Sequence, residues 1–168
     1  MHLVVHRPAV RQARPDPQAG PVAELRAAND ADLAAIRGLL EKAGLPTTDL
    51  EATKPNFTLL REHGAIVAAG ALQRLGSLAL LRSVVVAPDR RGAGLGAIIV
   101  HELEKVASAV RVRQLFLLTQ TAREFFAHQG YHVIERNEAP QDVQGSEEFR
   151  SLCPTSATCM TKVLSDSP

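Results

Sequence analysis

Between Arg82 and Val100 the chain reads RSVVVAPDRRGAGLGAIIV: a β-branched run enters a proline, two arginines and three alternating glycines, then an aliphatic stretch of helical period. Glycine loses more backbone entropy on folding than any other residue. Clustering it at the mouth of a helix is destabilising unless another group must approach the main chain there. Strand, glycine turn and helix in this order place the chain among folds that mix helices with a sheet, and mark the turn as a binding point.

Several uses of such a turn compete. Gly92, Gly94 and Ala97 fit the spacing G-x-G-x-x-G/A of a dinucleotide fingerprint. Its strand should run almost directly into the first glycine, whereas Pro88, Asp89, Arg90 and Arg91 intervene. The acid expected about twenty residues further on, to hold a ribose, is replaced by Leu118, Thr119 and Gln120. A nucleoside-triphosphate loop would need Gly-Lys-Ser/Thr, which is missing. A turn that only permits close packing needs neither three glycines nor two arginines. We therefore read a pyrophosphate cradle, in which exposed amides at a helix N-terminus, the helix dipole and one or two guanidinium groups bind a phosphate-bearing cofactor.

At 168 residues the chain is sized for one domain and one main core. Its 19 basic and 18 acidic residues leave a net charge of +1, so no global field attracts nucleic acid or an anionic membrane, and neither is expected as a partner. No apolar run reaches the roughly 18 residues that span a bilayer. Cys153 and Cys159 are too few to staple a secreted domain, which fits a reducing, cytoplasmic setting. On one straight strand their sulfurs would lie about 20 Å apart, at ~3.3 Å per residue, although Pro154 favours a bend. Two thiols alone make no structural zinc site, so no metal is expected, and both read as small buried hydrophobes.

Residues 1–21 carry prolines at 8, 15, 17 and 21 and arginines at 7, 11 and 14, with neither helical nor strand period, and read as a flexible extension. The folded domain is expected over 22–164, followed by a tail at 165–168. Residues 22–26 read as a strand, and Asn29 or Asp30 as the N-cap of a helix with Leu33, Ile36, Leu39 and Leu40 on one face. Strands are expected at 57–60, 65–72 and 78–87. The intervening turns, His63-Gly64 and Gly76-Ser77, are short enough for an antiparallel meander. After the glycine turn, Leu95, Ile98, Ile99, Leu103 and Val106 share a helix face. A buried strand at 115–118, a brief helix opened by a Thr121–Glu124 capping box, a strand at 131–135, a weakly helical 142–152 and a last strand at 157–164 complete the chain.

The segment Val84-Val85-Val86-Ala87-Pro88, followed after two residues by Arg91-Gly92-Ala93-Gly94-Leu95-Gly96, resembles the acetyl-coenzyme A motif of the GNAT N-acetyltransferase superfamily. That motif has the core R/Q-x-x-G-x-G/A after a strand, filled here by Arg91, Gly94 and Gly96. Ala122-Arg-Glu-Phe-Phe-Ala-His-Gln-Gly130-Tyr131 is similar to the A-x-x-F-Y-x-x-x-G-F of the same family. The resemblance covers roughly residues 22–164. It implies an α/β (α+β) fold with a mixed, mostly antiparallel sheet flanked by helices, and acetyl-CoA as co-substrate. Arg91, Gly92, Ala93, Gly94, Leu95 and Gly96 would hold the pyrophosphate, and the main chain of Val84 and Val86 would pair with the pantetheine. The Val86 N–H would steady the oxyanion formed when an amine attacks the thioester directly. Phe126 would stand beside the cofactor, in the slot where the family places a tyrosine that protonates the leaving thiolate, so the general acid is unassigned.

For the base and for acceptor recognition the residues leave alternatives open. Glu62 beside its hairpin turn reads as a solvated charge before a catalytic one. Thr119 and Gln120 end a strand where an acceptor could enter, or simply cap the next helix; Ser83 and Thr119 are the side chains kept as catalytic candidates. Arg82 lies in an apolar strand, either facing the surface or binding a substrate carboxylate. His101 and His128 fall on polar helix faces. Residues 39–46, 80–83 and 151–160 also resemble a bacterial GNAT subgroup of arsenic-resistance N-acetyltransferases. The expectation is an enzyme that acetylates a small-molecule amine, with organoarsenical or phosphinic amino acids among the acceptors. The alternative is a non-catalytic CoA- or arsenite-binding sensor on the same scaffold, using Cys153 and Cys159 as soft ligands. A homodimer is compatible with both.

Overall fold

The computed structural model describes residues 23–165. The extension read at 1–21 and the tail from residue 166 lie outside the described residues. In chain order the elements are β1 (Ala23–Ala27), α1 (Leu33–Lys42), α2 (Leu50–Thr53), β2 (Asn56–Glu62), β3 (Ala65–Leu75), β4 (Leu78–Val86), α3 (Leu95–Ala109), β5 (Gln114–Thr119), α4 (Arg123–His128), β6 (His132–Ile134), α5 (Gln141–Gln144), a π-turn (Glu148–Leu152) and β7 (Thr158–Val163). The strands form one sheet of order β1-β2-β3-β4-β5-β7-β6. Every neighbouring pair is antiparallel except β4 and β5.

Local chemistry accounts for the meander. His63 and Gly64 both adopt positive φ, 48° and 81°, which gives a two-residue loop the twist that a tight hairpin needs. A capping box sets the 3-10 turn Asp30–Asp32 that leads into α1: Asn29 Oδ1 accepts from the Ala31 N–H at 3.0 Å, and Asp32 Oδ2 accepts from the Asn29 N–H at 2.8 Å. Asp32 also accepts from Arg26 of β1 and Arg61 of β2, tying the helix start to the sheet edge.

Helices cover both faces of the sheet. On one, α3 packs Leu95, Ile99, Val100, Leu103 and Ala107 against residues that include Leu72, Leu81 and Leu115. On the other, Ile36 and Leu40 of α1 meet Leu59, Ala69, Ala71 and Val85, while Val143 of α5 meets Leu80 and Phe116. Two sequence expectations change here. The buried stripe of α3 is turned towards Val100 and Ala107, leaving Ile98 and Val106 exposed, because the apolar residues of this helix wrap around too much of it to mark a single face. The Thr121–Glu124 capping box does not form; the Thr119 hydroxyl instead accepts from the Ala122 N–H at 3.0 Å and starts α4.

A β-bulge in β4 is the local feature that matters most for the site. Ala69 faces Val85 and Ala71 faces Arg82, so Ser83 and Val84 together oppose Gly70. Ser83 takes a φ of +56° to accommodate the extra residue. The bulge reverses side-chain parity along β4: Ala79 and Leu81 face α3 before it, and Val84 and Val86 do so after it. Opposite the bulge, a Cβ on Gly70 would come within 2.7 Å of Ile99 and 2.8 Å of Leu103. Gly70→Ala is expected to destabilise the fold by about 1–3 kcal/mol through overpacking, measured as a lower urea midpoint; an unchanged midpoint would show that α3 can move away from the sheet freely.

Candidate functional site

The parallel pairing of β4 and β5 covers only Leu78–Leu80 against Gln114–Phe116. Beyond it the two strands part, and the gap opens towards the C-terminal end of β4. The Ala87 N–H donates to Val67 O at 2.8 Å, so in the antiparallel register that pairs Val85 with Ala69, residue 86 falls at a non-hydrogen-bonded position. The main-chain N–H and C=O of Val86 therefore point away from β3 and into the gap. This is the placement an oxyanion donor needs.

Two clefts meet at this gap. The first, about 600 Å³, is lined by Val84, Val86, Arg91, Gly92, Gly94 and Gly96 among others. Gly92 and Gly94 adopt φ of +82° and +78°, and a Cβ on either would meet nothing within 4 Å, so the concave side of the turn is open. The amides that begin α3 have no side-chain cap, because Gly94 is the N-cap residue. Open space, uncapped amides and the positive end of a fifteen-residue helix fit a phosphate-bearing ligand. Arg91 is exposed at this cleft, its Nε donating to Val86 O at 3.4 Å. Arg90 is engaged elsewhere: its Nε and Nη2 donate to Glu62 at 2.8 and 2.9 Å. Glu62 is thus an ion-pair partner rather than the solvated hairpin charge expected, and the Arg90 hydrogen bond holds its carboxyl below the usual range.

The second cleft, about 400 Å³, lies between the parted strands, lined by Arg82, Ser83 and Val84 on one side and Leu118, Thr119 and Gln120 on the other. Val84, Ala122 and Phe126 line both clefts. Ser83, Val84 and Thr119 therefore line the second cleft, and Val84, Val86 and the glycine turn line the first. Phe126 is 7% exposed and stacks edge-on against Phe125 and Tyr131. The one tyrosine of the chain, Tyr131, is buried in the core and donates to Glu104 at 3.0 Å, and burial pushes its hydroxyl pKa up. It leaves the general acid unassigned.

Arg82 departs from the surface-facing reading. It is 3% exposed, not surface-facing, and its two terminal nitrogens are held by the protein: Nη1 and Nη2 donate to Asp49 at 2.5 and 2.8 Å, and Nη1 to Gln73 Oε1 at 3.0 Å, while Nε makes no hydrogen bond among the described residues. An acceptor carboxylate would have to displace Asp49. Glu148 is the third member of this cluster, 3.6 Å from Arg82 Nε. Neither Asp49 nor Glu148 was singled out from the sequence, where a buried cation in an apolar strand signals the need for counterions but not their positions. Cys153 lines the second cleft beside Glu148, at 3.7 Å, whereas Cys159 is buried in β7. His101 and His128 are exposed. Among the described residues no group of three or more His, Cys, Asp or Glu could hold a metal ion, and no helix is long and apolar enough to cross a membrane.

Residues 54–133 match the family described as acetyltransferase (GNAT) domain. An amino-acid acetyltransferase of Mycobacterium tuberculosis is 38% identical over 92 residues, which are 54% of this chain and 49% of that protein. One from Actinobacillus pleuropneumoniae is 24% identical over 69% of this chain and 26% of its own length. The chain thus spans about half of the first relative and about a quarter of the second. Among solved structures, Rv2747 of Mycobacterium tuberculosis, in complex with CoA and NLQ, aligns with a TM-score of 0.70 at 29% identity, covering 84% of this chain and 99% of that one. N-acetylglutamate synthase of Neisseria gonorrhoeae, complexed with CoA and N-acetyl-glutamate, aligns with a TM-score of 0.73 at 19% identity, over 87% of this chain and 36% of that one. The fold is the mixed, mostly antiparallel GNAT fold.

Proposed function

We propose that the GNAT acetyltransferase domain in this chain moves an acetyl group from acetyl-CoA to the amine of an amino-acid-like small molecule. The observation that carries this is the junction of two clefts at Val84, Ala122 and Phe126, one cleft holding Val86 and an uncapped glycine turn and the other lying between parted strands. The amino-acid relatives support the acceptor class. Acetyl-CoA, when bound, supplies an activated acyl group whose sulfur leaves with the C–S electron pair and ends as the free thiol. The amides of Gly94, Leu95 and Gly96, with Arg91, would hold the phosphates. The Val86 N–H would face the carbonyl oxygen as it gains charge, and Val84 and Phe126 would keep water from the junction. Because a thiol ionises near ~8.5, the departing sulfur needs no strong acid beside it, which is compatible with phenylalanine at position 126.

The finer expectation of an arsenic-resistance enzyme remains an arm of the acceptor screen. Nothing favours a thiol-based arsenite sensor: burial, the largest cause, pushes the Cys153 thiol up to about 12 and that of Cys159 up to about 11, so neither is a thiolate near neutral pH. The test is calorimetric titration with acetyl-CoA and with NADH, followed by thiol release against amino acids, polyamines, an aminoglycoside and an organoarsenical amino acid. Binding of acetyl-CoA alone, with thiol release driven by an amino acid, is expected. Binding of neither nucleotide would overturn the reading.

A further inference from the structure

We propose that Glu148 is the catalytic base of this site, accepting the proton that an acceptor's ammonium group must lose before its nitrogen can attack, an assignment that rests on the acetyltransferase reading above. The π-turn Glu148–Leu152 sets Glu148 among the residues that line the cleft also holding Ser83, Thr119 and Ala122. The residue is 7% exposed, and its buried Oε2 has no hydrogen-bond partner among the described residues. Oε1 meets only the Cys153 thiol, at 3.7 Å. A buried carboxylate oxygen without a donor is costly, and a cationic amine bound in the cleft beside Glu148 would supply a compensating charge.

Arg82 does not satisfy Glu148. Its two terminal nitrogens are committed to Asp49 and Gln73, and its Nε stands 3.6 Å from Glu148 Oε2 without forming a hydrogen bond. Donor and acceptor both lack a partner. The charged and titratable groups around Glu148 are Arg82 on β4, Asp49 ahead of α2 and Cys153 after the π-turn, with the charge of Arg136 also acting on Cys153. Since Arg82 and Asp49 neutralise each other, ionised Glu148 is the surplus charge of the cluster, and it favours the amine end of an acceptor. Burial, opposed by Arg82 and by the thiol hydrogen bond and reinforced by Asp49, pushes its carboxyl up to about 7, where a general base near neutral pH works best.

The step is a proton transfer. One N–H bond of the ammonium breaks and an O–H bond forms on the Glu148 carboxylate. The electron pair stays on nitrogen as the nucleophilic lone pair, and Glu148 returns the proton to water after the product leaves. The experiment is the pH dependence of kcat/KM for the wild-type chain, Glu148→Gln and Glu148→Asp, with the best amine from the screen at saturating acetyl-CoA, alongside calorimetry. For the wild type, kcat/KM is expected to rise through a limb near pH 7. Glu148→Gln is expected to lose about 100-fold at that pH, to shift the limb towards the ionisation of the amine itself, so that the gap closes in alkali, and to keep its affinity for acetyl-CoA. Glu148→Asp should recover part of the rate with a displaced limb. A Gln variant that keeps the wild-type limb and a rate within about threefold overturns the assignment. Should that variant fail to fold, an unmoved limb in Glu148→Asp overturns it instead. A wild-type chain that binds acetyl-CoA but acetylates no amine overturns the acetyltransferase reading itself, and the base with it.

Discussion

Asp49→Ala lowers the free energy of unfolding by about 3–5 kcal/mol, the range for removing one partner of a buried ion pair, read as a fall in the urea midpoint at pH 7. The size follows from what is left behind. Arg82 is 3% exposed and takes both oxygens of Asp49 through separate nitrogens, so the alanine variant strands a guanidinium in an apolar sheet. Burial raises the Asp49 carboxyl, but the hydrogen bonds and charge of Arg82 outweigh it and hold it below its ordinary value. Its contribution is therefore full above the unfolded carboxyl range and is lost as pH falls through the depressed native value, so the gap between wild type and variant narrows in acid. Glu148 runs the other way. With a native value of about 7, it makes the folded state the better proton binder, and stability falls as pH rises from the ordinary carboxyl range towards 7. A double variant, Asp49→Leu with Arg82→Met, should recover most of the loss, since apolar replacement of a whole buried pair is often neutral. If Asp49→Ala unfolds at the wild-type midpoint, Arg82 has found another counterion, and Glu148 at 3.6 Å is the group positioned to be it.

Whether a feature was legible in the sequence depended on how local its cause is. The glycine turn, the His63-Gly64 hairpin and the Asn29 cap each arise from a few adjacent residues whose backbone needs are visible in their identities, and each is present. The side-chain face of α3 was not legible, because LGAIIVHELEKVASA offers aliphatic residues around most of its circumference, and the sheet chooses the stripe containing Gly70's neighbours Ile99 and Leu103. The bulge left a trace, two polar residues, Arg82 and Ser83, interrupting an otherwise apolar strand, but its consequence is only visible in register. Glu148 was hidden for the same reason as Asp49. The partners of Arg82 lie 33 residues before it and 66 after it, with no motif linking them, so only the folded chain brings the three together. The phosphate end of the site is thus written in one contiguous motif, while its acceptor end is assembled from distant segments.

Gly94→Glu is expected to weaken acetyl-CoA binding by at least about 100-fold, roughly 2.7 kcal/mol, while leaving the fold intact. Two effects act at this position and can be separated. Gly94 has a φ of +78°, which an L side chain adopts at a cost of about 1–2 kcal/mol, and a Cβ there meets nothing within 4 Å. Gly94→Ala therefore carries the backbone strain without a clash, and should lower thermal stability modestly with a small effect on affinity. The glutamate adds a carboxylate at the positive end of α3, where uncapped amides and exposed Arg91 otherwise attract an anion, and where its own charge would occupy and repel the site of the pyrophosphate. The loss should exceed that of the alanine variant and shrink at high salt, because part of it is charge repulsion at an exposed turn. Arg91→Glu should act in the same direction through the exposed cradle cation, whose Nε donates to Val86 O. Calorimetry of the three variants checks this. Wild-type affinity in both glutamate variants would remove the anion cradle and leave the three glycines as a packing turn, whereas equal losses in Gly94→Ala and Gly94→Glu would show that the backbone conformation of the turn, rather than its charge, holds the ligand.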